Sequence, residues 1–252
     1  MSGESERQVA RQRIAERRAA EAAARAAADR RRRTVVGGVA AAVVLVLVVI
    51  VVVVVQTRRT STSADAPTPP GVTDGYAFAV GSADAPVTMD VYEDFQCPVC
   101  AQLEATSGST IAQLVDDGTV QVRYHGMAFL DGASTTEYST RALNAAAVVA
   151  ESGADAFRAF HDLLFADQPA EGTAGLTDDQ LIAHAATAGA RGESVESGIR
   201  DLRYEDWVAA ATDQASSDGV TGTPTVLVDG EAVDNAQLTP EGITAAVAAA
   251  QG

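Results

Sequence analysis

Lysine is absent from the 252 residues, so all 18 positive side chains are Arg, set against 34 Asp and Glu. Cysteine is nearly absent as well, with only Cys97 and Cys100. Two cysteines cannot build a four-thiolate zinc site or a multi-bridge disulfide framework. The three histidines, His125, His161 and His184, are not spaced as a ligand group, so no metal and no dissociable organic cofactor is expected. Internal repeats are absent too, which leaves room for one domain with extra segments.

Charge is unevenly placed. Residues 1–33 hold ten Arg against five acidic residues, while from Thr60 onward six Arg face 29 Asp and Glu. The acidic half argues against a nucleic-acid partner. Val35 to Val55 is an uncharged, valine-dominated run of 21 residues. As a helix at ~1.5 Å per residue it spans about 32 Å, matching a bilayer core of ~30 Å. Arg flanks both ends with the excess on the N-terminal side, which places the N-terminus in the cytoplasm and the rest outside. The rival is a cleaved signal peptide ending near Ala64-Asp65-Ala66, but the run is longer than a signal h-region and that site lies well past it. An uncleaved anchor in contact with membrane lipid is the favoured reading. The expected organisation is a basic cytoplasmic arm (1–33), a transmembrane helix (34–56), a flexible Thr/Ser/Pro linker (57–74) and a folded domain (75–252).

Cys97-Pro98-Val99-Cys100 organises that domain. The pair sits where a strand-like run, Val87 to Phe95, gives way to a helix-like run, Ala101 to Leu114. At this spacing a helix stacks both side chains on one face. A thiol in the first turn meets unsatisfied amides and the positive end of the dipole, so Cys97 is the expected thiolate and nucleophile, with Cys100 one turn deeper. Three plainer readings stand beside it: a zinc site, two inert buried cysteines, and a structural disulfide, which so short a loop would make weakly stabilising.

The remaining pattern gives a strand at Tyr76 to Val80, a strand at Val87 to Val91, the cysteine helix ending at Asp116-Asp117-Gly118, and a strand at Val120 to His125. Helices follow. Ser134-Thr135-Thr136-Glu137 reads as a capping box, Phe157, Phe160 and Leu164 mark a second helix, and Thr177 to Gln180 is another box. Val195, Ile199 and Leu202 mark a fourth, expected to continue past Trp207. Thr225 to Val228 is a strand turning at Asp229-Gly230, and Thr239-Pro240 opens the last helix. A helix between the second and third strands supports a parallel βαβ unit.

With Asp94-Phe95-Gln96-Cys97-Pro98-Val99-Cys100, Phe157 to Phe165 and the distant Val220-Thr221-Gly222-Thr223-Pro224-Thr225, the domain resembles the thioredoxin superfamily, and within it the membrane-anchored DsbA-like proteins. The resemblance implies an α/β thioredoxin-like fold with an inserted helical domain at about 133–218, here preceded by a single N-terminal transmembrane helix. It implies a redox-active Cys97–Cys100 pair and a cis Pro224, with Thr223 beside the cysteines offering its backbone to an extended substrate. It also implies exported proteins with cysteines as substrates, and a quinone-linked membrane partner for reoxidation.

The expected function is an extracytoplasmic, membrane-tethered thiol–disulfide oxidoreductase that oxidises exported proteins. A reductase or isomerase of the same fold, and a non-catalytic module holding unfolded segments, remain alternatives. Asp90 sits mid-strand, with an exposed face as the default reading and a buried proton-transfer carboxylate as the other. Glu93 and Asp94 are expected to raise the pKa of nearby Cys97. His161 is expected to be a packed helix residue.

Overall fold

A computed structural model describes residues 67–73 and 76–252. The basic arm, the Val35 to Val55 run and residues 57–66 of the linker lie outside them. Among the described residues no helix is long and apolar enough to cross a membrane.

The sheet has six strands: β1 (Val72–Thr73), β2 (Ala77–Val80), β3 (Val87–Glu93), β4 (Val120–Gly126), β5 (Thr225–Val228) and β6 (Glu231–Ala232), in spatial order β1-β2-β4-β3-β5-β6. β3 lies parallel to β4 and antiparallel to β5, with Val91 opposite Tyr124 on one side and Val226 on the other. The parallel pair is joined by α1 (Pro98–Asp116), so the expected βαβ unit is present. β1 falls in the stretch read as linker. Tyr76, at φ 65, turns the chain so that Val72 pairs with Phe78.

Period two along β3 and β4 sends Val87, Met89 and Val91, with Val120, Val122 and Tyr124, into one core. On α1 the spacing of Cys100, Leu103, Ser107, Ile111 and Val115 presents a single buried stripe to that core. At the edge near β2, Phe78 stacks on Phe157 with ring centroids 4.4 Å apart.

Five helices stand between β4 and β5: α2 (Tyr138–Ala150), α3 (Ala154–Ala166), α4 (Asp178–Thr187), α5 (Glu193–Arg200) and α6 (Glu205–Ser217). The last helix is α7 (Pro240–Ala250), capped by Thr239 through its bond from the Gly242 amide. α2 is buried continuously from Ala142 to Ala150, and its alanines let four helices approach it. Gly126, at the end of β4, permits the same closeness, since a Cβ there would stand 2.3 Å from Leu143 Cδ1.

Two expected helix boundaries change. Ser134 does not form a capping box with Glu137. Its hydroxyl accepts from the Thr136 and Tyr138 amides, Glu137 adopts φ 52, and α2 begins at Tyr138. The helix expected to run past Trp207 is two helices broken at Leu202, which adopts φ 51. The buried side chain of Asn144 holds the break: it donates to the carbonyls of Gly198 and Ile199 and accepts from the Tyr204 amide. The capping box at Thr177 and the Asp229-Gly230 turn, with φ 47 and 84, form as expected.

Candidate active site

β3 delivers the chain to a tight turn in which the Cys97 amide donates to the Asp94 carbonyl at 2.9 Å. Cys97 has an extended backbone and immediately precedes α1, whose first residue is Pro98. Proline fits there because its missing N–H has no intrahelical partner. α1 thus holds Pro98 and Cys100 in its first turn, as expected from the sequence, and Cys97 stands at its cap with the amide ends of the helix around it.

Both cysteines are free thiols, Cys100 fully buried and Cys97 7% exposed. The Cys97 thiol is drawn down to about 5, chiefly by the hydrogen bond from Cys100, against the cost of burial. The Thr223 side chain and the amides of Cys100 and Val99 add to it. Cys100 is pushed far above its ordinary range, because its proton is held by Cys97, because it is buried, and because Glu93 lies near. Glu93 therefore acts on Cys100, and neither Glu93 nor Asp94 is among the main influences on Cys97, whose pKa is lowered overall rather than raised. Asp94 is turned inward, where its oxygens accept from the Gln96 amide, the Leu130 amide and the Ser139 hydroxyl. Burial pushes the Asp94 carboxyl up to about 6 despite these donors.

The loop at 219–224 approaches from the other side. Cys97 Sγ lies 3.4 Å from the Thr223 carbonyl, which accepts its hydrogen, across 126 positions of sequence. The Thr223–Pro224 peptide bond is cis. Cys97, Val99, Phe129, Leu130 and Thr223 line an open groove of about 710 Å³. Val99 is 54% exposed at its rim, a large apolar side chain facing solvent.

Two glutamines that sequence reasoning passed over tie the helical insertion to this turn. Gln168, just after α3, donates to the carbonyls of Phe95 and Cys97, and Gln96 donates back to those of Ala170 and Thr173. No local signal marks Gln168, since both partners lie over 70 positions away.

Behind Cys100 lies a buried polar group. His161 Nε2 meets Glu93 Oε1 at 2.5 Å, within an aromatic shell of Phe95, Tyr124 and Phe165. His161 is packed, as expected, but it is also half of an ion pair. Burial alone would lower its pKa, yet Glu93, Asp162 and Glu104 outweigh that and hold it well above the usual histidine range. Glu104, also overlooked, is pushed up to about 7 mainly by burial. Its position four residues after Cys100 was the available signal, because that spacing shares a helix face. Asp90 is not on an exposed face. It is 5% exposed and held by Arg123 at 2.5 Å and His125 at 2.8 Å. Burial raises its pKa, but the bonds from His125 and Arg123 bring it below the ordinary value.

A family model described as Thioredoxin matches residues 73–249. The kinase PknE of Mycobacterium tuberculosis is 34% identical over 166 residues, 63% of this chain. The chain spans only 29% of that relative's length. "Probable disulfide bond formation protein D" of Bacillus cereus is 27% identical over 158 residues, covering 60% of this chain and 69% of that protein. Among solved structures, reduced DsbA from Mycobacterium tuberculosis is 33% identical with a TM-score of 0.57, over 69% of this chain and 98% of that one.

Proposed function

The chain belongs to the thioredoxin superfamily, among its DsbA-like thiol–disulfide oxidoreductases, and on that premise we propose that Cys97 and Cys100 oxidise cysteine pairs in exported proteins. One observation carries the direction: the two sulfurs are split, Cys97 favouring thiolate with a pKa near 5 and Cys100 held as thiol. A thiolate stable at neutral pH stabilises the reduced enzyme, so the enzyme disulfide is a strong oxidant.

The chemistry balances as two exchanges. A substrate thiolate attacks Cys97 Sγ of the enzyme disulfide, the Sγ97–Sγ100 bond breaks, and Cys100 leaves and takes up a proton. The second substrate thiolate then attacks the substrate sulfur of the mixed disulfide. A substrate disulfide forms, the bond to Cys97 breaks, and Cys97 departs as a thiolate. Two electrons pass to the enzyme. The low pKa of Cys97 makes it the better leaving group in the second step. Thr223, with its carbonyl beside Cys97 on the groove floor, is the backbone position against which an extended substrate pairs, and Pro224 shapes that floor.

The Val35 to Val55 run anchors the chain, the basic arm lies in the cytoplasm, and the residues from 75 onward act outside, where exported thiols are oxidised. The linker lifts that domain from the membrane, the helices at about 133–218 form its insertion, and a quinone-linked membrane protein returns the pair to the disulfide.

Equilibration of the pair with glutathione buffers tests the direction. The expected potential lies nearer the about −120 mV of a strong oxidant than the about −270 mV of thioredoxin. A value below about −250 mV would assign the protein as a reductase. Thiols that fail to exchange at all would make it a non-catalytic binding module.

A further inference from the structure

We propose that Glu93, Glu104 and His161 form a binding site for one divalent transition-metal cation, Zn²⁺ or Mn²⁺, reached through the cleft between α1 and α3. The three residues come from the end of β3, the second turn of α1 and the middle of α3. One ligand atom from each lies within 4.8 Å of the other two. Two carboxylates and an imidazole form a mixed oxygen–nitrogen set, which suits these ions better than Ca²⁺ or Cu⁺.

The second observation is that the group is unfinished. Glu93 Oε2 and Glu104 Oε1 are buried and have no hydrogen-bond partner among the described residues. The Glu93 side chain is only 2% exposed. Buried carboxylate oxygens are normally paired, hydrogen-bonded or ligated, because leaving water without a partner is costly. His161 satisfies Oε1 of Glu93 and leaves Glu93 Oε2 and Glu104 Oε1 open. A single cation at the centre would engage both.

The surroundings fit. His161 Nδ1 faces the Asp162 carboxylate at 3.5 Å, the arrangement that orients a metal-binding imidazole from behind. Glu104 and Asp162 line a cleft of about 410 Å³ whose α1 wall is Ala101, Ala105 and Gly108, small enough to admit a hydrated ion. The cleft would supply water for the coordination positions the protein leaves open. The competitor is the proton in the Glu93–His161 hydrogen bond: His161 Nε2 must release it to ligate the cation, while Glu93 turns its open Oε2 to the same ion. The three ligands lie 11 and 57 positions apart in sequence, which is why histidine spacing did not reveal them.

The test uses the full chain, stripped with a chelator and oxidised so that neither thiol can ligate. Zn²⁺ and Mn²⁺ are titrated separately by calorimetry, and Co²⁺ serves as an absorbance probe of nitrogen–oxygen ligation. One equivalent of Zn²⁺ or Mn²⁺ is expected, weakened tenfold or more in Glu104→Gln and less in Asp162→Asn. Glu104→Gln keeps shape and borders the cleft, and circular dichroism checks its fold. Binding of less than one equivalent overturns the site and leaves a shared proton as the sole occupant. Several weak equivalents unchanged by Glu104→Gln overturn it equally, assigning the ions to the acidic surface. The readout needs no thiol exchange, so its failure is separate from failure of the oxidoreductase reading.

Discussion

Strand β3 carries two buried carboxylates, Asp90 and Glu93, and an odd separation in a strand sends them to opposite faces. Their surroundings differ in kind. Asp90 faces Arg123, a permanent cation, and His125 beside it, with Tyr92 stacked on the His125 ring at 4.1 Å. Glu93 faces the enclosed side, where its cation is His161 and a second carboxylate, Glu104, shares the space. The first cluster is balanced and opens to water through Arg123; the second lies deeper, bordered by the cleft at Glu104, and carries two carboxylates against one titratable cation. A balanced pair holds a sheet face together. An unbalanced one next to a redox cysteine is poised to exchange protons or ions.

The comparison breaks most directly at His161. In chelator-treated protein, His161→Leu should cost about 3–5 kcal/mol, because it leaves a buried carboxylate uncompensated. Urea unfolding measures this. Adding Glu93→Gln to the same chain should recover most of the loss, since removing both charges is often neutral. A neutral single substitution would mean that Glu93 and His161 are not a charged pair.

The Asp90 side sharpens it. Arg123→Ala should cost only about 1–2 kcal/mol, since the Arg123 side chain is 37% exposed, water screens the pair, and His125 remains. Equal losses at Arg123 and His161 would erase the distinction between the two faces.

The sequence made the frame legible and left these clusters hidden, for one physical reason. Strand alternation, the Asp229-Gly230 turn, the Thr177 box and the Cys97–Cys100 spacing act between near neighbours, and each could be read from a few residues. The break at Leu202 depends on Asn144, which bonds to positions 54 to 60 residues away. Ser134 lost its expected partner because the loop before α2 is held elsewhere: Asp131 accepts from the Thr140 amide and hydroxyl. Asp90 looked like an exposed strand residue because its Arg123 and His125 partners lie on the neighbouring strand. Glu104 went unremarked because His161, which it meets, lies on α3, 57 positions further along the chain.

The finest distinction concerns which cysteine each face can reach. Hydrogen bonds and helix amides are the main influences on Cys97, and Glu93 is not among them, whereas Glu93 does bear on Cys100. Glu93→Gln and Asp90→Asn should therefore each leave the midpoint for Cys97 alkylation where the wild-type protein has it, expected near pH 5. The sign of the accompanying stability change follows from the depressed pKa. Cys97 moves from an ordinary value of 9.0 to about 5 on folding, so between those limits the unfolded reduced chain binds more protons than the native one. Reduced-state stability should rise with pH across that window, reach its full value above about 9, and be lost as pH falls through about 5. The disulfide form has no such thiol and lacks this dependence. Melting of both forms from pH 4 to pH 8 should show the reduced protein gaining on the oxidised one, with the same increment in Glu93→Gln. An increment that shrinks in Glu93→Gln would mean that the enclosed face also controls Cys97, and that the division of labour along β3 is wrong.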